Sequence, residues 1–169
     1  MCDCCDFIAA RGGRPDDPRL VNEYQRVWRA GTKAKIREHG RSLVYVETRP
    51  TLTYTIGLWS AGHAELAVFG LEPHVAGPLL NTIGDQLSAR RETLGAGSLL
   101  VESGWELKAF QLPRPYEVAP QIDHFYRRRP QQTVPVLQLV YPDVHGVWPW
   151  EPGCHQFPGQ QPMPGTWVA

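Results

Sequence analysis

The amino-acid sequence predicts an α+β fold: a mainly antiparallel sheet of about five to seven strands with two or three helices. Three observations lead to this prediction. Short runs rich in β-branched and aromatic residues, such as LVYVE (43–47) and TLTYTIGLW (51–59), are typical of strands. Longer segments repeat apolar residues at helical spacing. The chain has 169 residues, which is the usual length of one domain, so we predict a single domain over 1–169.

The N-terminal region is predicted as an irregular arm followed by a long helix. Residues 1–17 contain three cysteines and end in GGRPDDP, a turn-rich stretch that favours irregular structure. Apolar residues from Leu20 to Trp28 recur at helical spacing, and Gly40 suits the end of a helix. We therefore predict a helix over 19–39.

The next segment is predicted to form three strands and a second helix. LVYVE and TLTYTIGLW are separated by a proline-containing turn, which favours an antiparallel pair. ELAVFGL (65–71) is apolar enough to be a third strand that is buried on both faces. Pro73 opens a helical pattern, but a proline inside a helix costs about 3 kcal/mol. Because Pro78 lies inside this pattern, we expect regular helix to begin only near Gly77.

The second half of the chain is predicted to alternate strands with turns and to finish in a proline- and glycine-rich tail. The predicted elements are, in order, a link with a short strand (94–104), a strand (105–113), a short helix (115–129), a strand (134–141), a hairpin-like return from 143–146 into VWPW, and the tail (151–169). We expect the tail to be ordered but irregular and to be held by Phe157 and Trp167.

Composition excludes several classes of function. The chain carries 17 basic and 17 acidic residues, so its formal net charge is zero and no general field attracts nucleic acid or an anionic membrane. No apolar run is long enough for a membrane-spanning helix, and the acidic N-terminus does not resemble a signal peptide. We therefore expect a cytoplasmic protein. In that reducing compartment its four cysteines would be thiols or metal ligands.

Several ordered sequence blocks carry a family resemblance. TYTIGLW, HAELAVFGL, AGPLLNTIGDQL and VLQLVYPDVHGVWPWEPG, with a cysteine pair at the start, resemble the mainly actinobacterial family called domain of unknown function 4262. The likeness extends from Cys2 to about Pro162. Family members commonly have proline where this chain has Ala64 and tryptophan where it has Tyr141. The resemblance implies one domain, and it implies no particular activity, cofactor or catalytic residue.

The cysteines suggest a possible metal site. Cys2 and Cys5 have the C-x-x-C spacing that lets two thiolates reach one metal ion, and Cys4 adds a third sulfur. Cys154 and the adjacent His155 could complete a tetrahedral zinc site. A reactive or redox thiol pair and an inert tail are the two alternatives to zinc binding.

His63-Ala64-Glu65 matches the H-x-E element of zinc deaminases, in which histidine binds zinc and glutamate transfers a proton. The partner element P-C-x-x-C is missing from the sequence. Glu65 also opens a predicted strand, whereas that chemistry requires a helix. We therefore interpret His63 as a polar residue at the start of a strand.

Aromatic and polar residues near the predicted strand ends could form a surface for a ligand or a protein partner. Rings concentrate binding energy in such surfaces, but rings beside prolines can equally form a structural lid over the sheet. The candidate residues are Tyr54, Trp59, His63, Asn81, Trp148 and Trp150.

Three classes of function follow from these patterns. The first is an accessory protein that binds zinc or an unknown small ligand. The second is a protein-interaction module of the immunity or regulatory type, because the Thr-Ile-Gly-Leu block is similar to the suppressor-of-fused-like domains. The third is a thiol-dependent enzyme that uses Cys2 or Cys5 as its nucleophile. The sequence contains neither a P-loop nor a G-x-G-x-x-G element, so it does not indicate nucleotide binding.

Overall fold

The computed structural model describes residues 3–90, 93–127 and 132–163. Within these ranges it has an α+β fold with a six-stranded, mostly antiparallel sheet, which confirms the predicted fold class. Residues 1–42 form one compact unit and residues 43–169 form a second. None of the described helices has the length and apolar character needed to span a membrane.

The described elements have the following bounds. The helices are α1 (Asp3–Ala9), α2 (Pro18–His39), α3 (Pro73–Arg90), α4 (Pro115–Val118) and α5 (Pro120–Tyr126), with one 3₁₀ turn at Leu58–Ala61. The strands are β1 (Ser42–Val46), β2 (Leu52–Ile56), β3 (Glu65–Phe69), β4 (Leu99–Glu102), β5 (Trp105–Gln111) and β6 (Val136–Val140).

In the first unit, α1 corrects the expectation of an irregular arm over 1–17. Residues 3–9 are helical because Ile8 is buried and the Phe7 ring packs edge-on against Tyr24 of α2, with 5.5 Å between ring centroids. The Arg11 guanidinium lies 3.5 Å from the centroid of the Phe7 ring and pairs with Glu23 at 3.3 Å. Apolar contacts with α2 therefore stabilise a helix that local propensity alone did not indicate.

The boundaries of α2 agree with the predicted helix over 19–39. The Asp17 side chain accepts a hydrogen bond from the Arg19 N–H at 2.9 Å, which caps the first turn next to Pro18. At the other end Gly40 adopts φ 77°, and its N–H donates to the carbonyl of Ile36. A glycine at this left-handed position carries no Cβ penalty and ends the helix.

In the second unit the strands follow the order β1-β2-β3-β6-β5-β4. β3 and β6 are parallel, whereas β2–β3, β5–β6 and β4–β5 are antiparallel pairs. Every residue of β2, β3 and β6 is buried, which confirms that ELAVFGL forms a strand covered on both faces. β1 and β4 are the two edge strands of the described sheet.

The helix α3 covers one face of the sheet. Its buried side chains pack with Leu66 and Val68 of β3, Leu107 of β5 and Leu139 of β6 in one apolar core. Full burial of each such side chain stabilises the fold by about 1.5–3 kcal/mol. The other members of this core include Ala76, Leu79, Leu80, Ile83 and Leu87 of α3.

The first turn of α3 differs from the prediction. Regular helix begins at Pro73 and not near Gly77, because the carbonyl of Glu72 accepts the first N–H bonds of the helix ahead of Pro78. Pro78 has no N–H and cannot donate one of the hydrogen bonds of the helix. Burial of leucines that precede and follow Pro78 in the sequence offsets this loss. A Cβ atom at Gly77 would lie 2.6 Å from the Tyr45 hydroxyl, so a side chain at this position of α3 would require the Tyr45 ring of β1 to shift.

Three further predictions need correction. The single helix expected over 115–129 is two helices, because Ala119 has a non-helical backbone and Pro120 starts a new helix. Arg128 and Arg129 lie outside the described residues. The hairpin-like return expected from 143–146 into VWPW is limited to a tight turn, in which the Asp143 N–H donates to the Val147 carbonyl at 2.8 Å, and 147–150 does not continue as a strand. Phe157 is exposed and does not hold the tail, and Trp167 lies outside the described residues.

Glutamine side chains hold the described part of the tail, residues 151–163. The Gln161 amide bonds the Tyr141 backbone in both directions: its oxygen accepts from the N–H at 3.0 Å, and its nitrogen donates to the carbonyl at 2.7 Å. Gln138 of β6 donates to the carbonyl of Pro162 at 2.6 Å. These contacts replace the sheet neighbour that Tyr141 lacks just after β6 ends.

Candidate functional site

A fully buried carboxylate lies where β3 begins. Glu65 Oε2 accepts a hydrogen bond from the Thr55 hydroxyl at 2.6 Å, and Glu65 Oε1 accepts from the Gly57 N–H at 2.8 Å. Glu65 Oε1 also accepts from the Trp59 N–H at 3.1 Å and from the Tyr126 hydroxyl at 2.6 Å. We call these five residues the Glu65 cluster. Protein donors therefore satisfy both carboxylate oxygens.

Local backbone geometry makes this arrangement possible. Gly57 adopts φ 134°, a conformation that glycine tolerates, and this directs its N–H and that of Trp59 toward the carboxylate. Burial and the nearby charge of Glu65 raise the pKa of Tyr126 well above its usual range. Its hydroxyl therefore stays protonated at neutral pH and serves as a donor to Glu65. The cluster ties β2 and the 3₁₀ turn to α5.

His63 does not form a zinc-deaminase site with Glu65 in this arrangement. Glu65 opens a strand, as the sequence predicted, and its oxygens are already committed to four protein donors. His63 is buried, and its backbone N–H donates to the carbonyl of Leu58. The ring nitrogen Nδ1 of His63 has no hydrogen-bond partner among the described residues. The glutamate that would transfer a proton in that chemistry instead has a structural role here.

A second carboxylate, Asp143, organises the loop after β6. Asp143 Oδ1 accepts from the N–H groups of His145 and Val147 at 2.9 Å each, and Oδ2 accepts from the His155 N–H at 2.8 Å. These backbone bonds, that of His155 first, lower the pKa of Asp143 to about 2. The carboxylate is therefore ionised at physiological pH, and it brings residues 145 and 155 together.

The two histidines of this loop lie side by side. The ring centroids of His145 and His155 are 5.1 Å apart, and His155 Nδ1 is 3.5 Å from Asp143 Oδ2. Both rings are exposed, and the half-buried Cys154 precedes His155. The loop therefore exposes two imidazole rings beside a half-buried thiol, and the Asp143 carboxylate lies beneath them with its side chain 3% exposed.

An aromatic surface follows directly along the chain. The rings of Trp148 and Trp150 are stacked with centroids 5.0 Å apart and an interplanar angle of 12°. The Lys108 ammonium lies 4.2 Å from the Trp148 centroid and 5.1 Å from that of Trp150, and Phe110 packs edge-on against Trp150 at 5.6 Å. Lys108, Phe110, Trp148 and Trp150 form what we call the tryptophan surface. Trp148 is 7% exposed, whereas Trp150 is 41% exposed.

The cysteines occupy separate segments. Cys4 and Cys5 lie in α1, where Cys4 is half-buried and Cys5 is exposed, and Cys154 lies in the tail. Cys2 is outside the described residues. Within the described ranges, no three His, Cys, Asp or Glu side chains are arranged to hold a metal ion. The zinc site of Cys2, Cys4, Cys5, Cys154 and His155 therefore remains a prediction.

The six residues predicted as a ligand or partner surface are placed differently from one another. Tyr54 is fully buried and donates to Gln121 of α5, and burial raises its pKa well above the usual range. Trp59 contributes its N–H to the Glu65 cluster, His63 is buried, and Asn81 is exposed on α3. Trp148 and Trp150 are in direct contact with each other, with their rings stacked.

Sequence reasoning missed the partners of these groups. Lys108 and Phe110 occupy alternate positions of β5 and therefore share one face, a pattern that the sequence does contain. By contrast, no sequence signal connects Tyr126 to Glu65, because the two residues are 61 positions apart. Asp143 could have been found from the turn-favouring Asp-Val-His-Gly stretch.

Comparison with known proteins places the chain in a family. Neither a curated protein nor a solved structure gives a significant match. Residues 35–155 match the family described as domain of unknown function (DUF4262), and this range includes the Glu65 cluster, the Asp143 loop and the tryptophan surface. The match covers well over half of the chain, and the chain belongs to this family.

Proposed function

We propose that this protein is an interaction module that binds a protein partner through the tryptophan surface. The observation that supports the proposal is the exposed ring of Trp150, which is fixed on three sides by Trp148, Lys108 and Phe110. Tryptophan dominates the energetics of many interfaces, and a ring that is already ordered loses little conformational entropy on binding. The same surface is therefore prepared for contact without rearrangement.

The charge beside the rings defines the kind of partner. Lys108 is half-buried, and its ammonium lies over two ring faces, where the attraction between the cation and the rings holds it. The neighbouring Glu151 carboxylate already accepts from the Trp148 N–H at 2.9 Å. A partner segment with apolar side chains and one carboxylate for Lys108 would complement this surface.

The test compares two aromatic truncations. Trp150→Ala removes the exposed ring, and Phe157→Ala is the matched control because Phe157 is an exposed ring of the tail outside the tryptophan surface. A partner captured by wild type and by Phe157→Ala should be lost with Trp150→Ala at unchanged melting temperature. With that partner purified, calorimetry should show that Trp150→Ala raises Kd by about tenfold or more. Equal affinity of the two variants would overturn the proposal.

We also propose zinc binding as a second candidate function, which the contact between the rings of His145 and His155 favours; Cys154 precedes His155 in the chain. Imidazole and thiolate are the usual protein ligands of zinc, and exposed histidine rings can reorient at small cost.

Elemental analysis of untagged protein purified without chelator tests the second proposal. We expect stoichiometric zinc in the wild type and its loss in His155→Ala, whereas His74→Ala, which changes an exposed histidine of α3, should retain it. Replacement of Cys2 and Cys5 by serine then shows whether the N-terminal thiols contribute. A metal-free wild type with four reduced thiols would exclude this proposal.

A further inference from the structure

In the edge strand β4, the side chains of Leu99 and Val101 are exposed and those of Leu100 and Glu102 are half-buried. It is the last strand of the described sheet and pairs there only with β5, through a two-residue turn in which Ser103 and Gly104 have φ 50° and 82°. Such a turn makes Glu102 and Trp105 the first hydrogen-bonded pair of the hairpin. Because hydrogen-bonded and non-hydrogen-bonded pairs alternate along an antiparallel ladder, this pair determines which residues of β4 form backbone hydrogen bonds with β5.

The backbone N–H and C=O groups of successive residues in β4 point alternately toward β5 and away from it, so two residues direct these groups outward. Ala109 N–H donates to the Ser98 carbonyl at 2.9 Å, so Ser98, Leu100 and Glu102 direct their backbone groups toward β5. Leu99 and Val101 therefore direct their N–H and C=O groups away from the sheet. Their side chains are 57% and 76% exposed.

Among the residues that the structure describes, nothing gives this edge the usual protection against pairing. Natural edge strands are commonly blocked by lysine, by proline or by a covering segment. The sequence of β4 is LLVE, and none of its outward-facing positions is charged. A bulge at Gly97 and Ser98, which both bond Ala109, precedes β4 and leaves Leu99–Glu102 regular.

A cleft of about 340 Å³ opens beside the same strand. Its walls come from α3, from the link that follows α3 and from β4, and they include Ile83, Leu87, Leu94 and Leu100. Cross-strand neighbours share one face of a sheet. A side chain placed opposite Leu100 by a new strand would therefore lie at the mouth of this cleft.

We propose that β4 pairs with β4 of a second copy of this chain, antiparallel and with the two-fold axis at Leu100. In this register Leu99 of each copy faces Val101 of the other copy. Each of these two equivalent pairs exchanges two backbone hydrogen bonds. Leu100 faces its own counterpart at the cleft. Glu102 faces Ser98, so no like charges are directly opposed.

Self-complementarity is what favours a second copy over another protein. Other antiparallel registers of this strand would use only one of its two outward residues for paired bonding, whereas this register uses Leu99 and Val101 together. It also places every exposed apolar side chain of β4 opposite another apolar side chain. This inference concerns the sheet edge and does not depend on binding at the tryptophan surface.

Sedimentation velocity of the full chain tests the oligomeric state. Across about 1 μM to 1 mM, a range suited to a small interface, we expect a reversible monomer–dimer equilibrium for wild type. Val101→Lys should remain monomeric, because a lysine on an edge strand opposes pairing. Val144→Lys, at another highly exposed valine, should dimerise like wild type. A wild type that stays monomeric throughout, or a Val101→Lys variant that dimerises equally, would overturn the proposal.

Disulfide trapping tests the register. In a chain whose four native cysteines are replaced by serine, Leu100→Cys should form a dimer disulfide readily, because facing residues at a non-hydrogen-bonded position approach to about 4.5 Å between Cα atoms. Leu99→Cys alone should cross-link at least several-fold more slowly, because it faces Val101. Equal rates for the two variants would contradict this register.

Discussion

Two buried or partly buried carboxylates, Glu65 and Asp143, are satisfied by similar numbers of donors but stabilise different things. The donors of Glu65 come from β2, from the 3₁₀ turn and from Tyr126, which lies 61 positions away. The N–H donors of Asp143 all lie within 12 positions of it. Glu65 therefore closes a tertiary contact, whereas Asp143 shapes a single loop.

This difference indicates that Glu65 stabilises the fold, whereas Asp143 stabilises the conformation of one surface loop. When Glu65 is removed, donors from buried Thr55 and Gly57 and from half-buried Trp59 and Tyr126 lose a hydrogen-bond acceptor inside the protein. When Asp143 is removed, water can reach the N–H groups of the exposed residues His145 and His155. We therefore expect Glu65 to control global stability and Asp143 to control the geometry of the loop that leads to the tryptophan surface.

The largest expected effect is that of Glu65→Ala. The variant removes the acceptor of the Thr55 and Tyr126 hydroxyls and of the Trp59 N–H, and it leaves the Gly57 N–H with the Tyr126 hydroxyl as its acceptor. A buried donor left without its acceptor costs about 1–3 kcal/mol, so the loss of four hydrogen bonds to one carboxylate should together cost at least about 3 kcal/mol. We expect a loss of this size in the free energy of unfolding measured with urea.

The matched control is Glu106→Ala, which removes an exposed carboxylate from β5. Surface substitutions of this kind usually change stability by less than about 0.5 kcal/mol. If Glu65→Ala were as stable as Glu106→Ala, the Glu65 cluster would not be a structural element. In that case the Glu65 cluster would not stabilise the fold, and a functional role would have to explain its buried carboxylate.

Tyr126→Phe should have a smaller effect. It keeps the ring but removes the hydroxyl that donates to Glu65 and accepts from the Gly57 N–H at 2.9 Å. Loss of a hydrogen bond to a charged group, with a buried partner left behind, costs about 1–3 kcal/mol. Urea unfolding should show a loss within this range, and Tyr116→Phe on α4, whose ring is partly exposed, serves as the comparison.

The same tyrosine gives a pH dependence of defined sign. Its pKa is raised in the folded protein, first by burial and then by the charge of Glu65, whereas tyrosine in an unfolded chain titrates near pH 10. Its contribution to stability is therefore complete below about pH 10 and declines as the pH rises above that value. Unfolding followed from pH 8 to 11 should show a steeper decline for wild type than for Tyr126→Phe, and parallel curves would contradict the assignment.

The fold class could be predicted from the sequence because its main signals are local. β3 and β6 are apolar over their whole length, and α2 has a proline at its start and a glycine just after its end, so pattern and capping chemistry both identify them. The N-terminal helix was missed because its stability comes from Ile8 and Phe7 packing on α2, which no local propensity reports.

The sites were harder to predict because they depend on contacts between distant residues. The pattern of aromatic residues pointed to Trp148 and Trp150, whose rings stack in the structure, but it could not show that Lys108 and Phe110 complete their surroundings. Tyr54 illustrates the opposite case, because an aromatic residue suggested as a contact residue is fully buried. Burial and partners are set by strand pairing, which a single sequence does not specify.

The smallest expected effect is that of Asp143→Asn, which should loosen the loop and leave the rest of the fold intact. The neutral amide is a weaker acceptor for the N–H groups of His145, Val147 and His155, so their hydrogen exchange should become faster while that of β3 and β6 is unchanged. The folded pKa of Asp143 is about 2, below its ordinary value of 3.8. Its stabilisation of the loop is therefore present above about pH 3.8 and is lost as the pH falls toward 2, a decline that the Asn variant should not show. If Asp143→Asn also accelerated exchange in β3, the carboxylate would contribute to the whole sheet, and the contrast with Glu65 would fail.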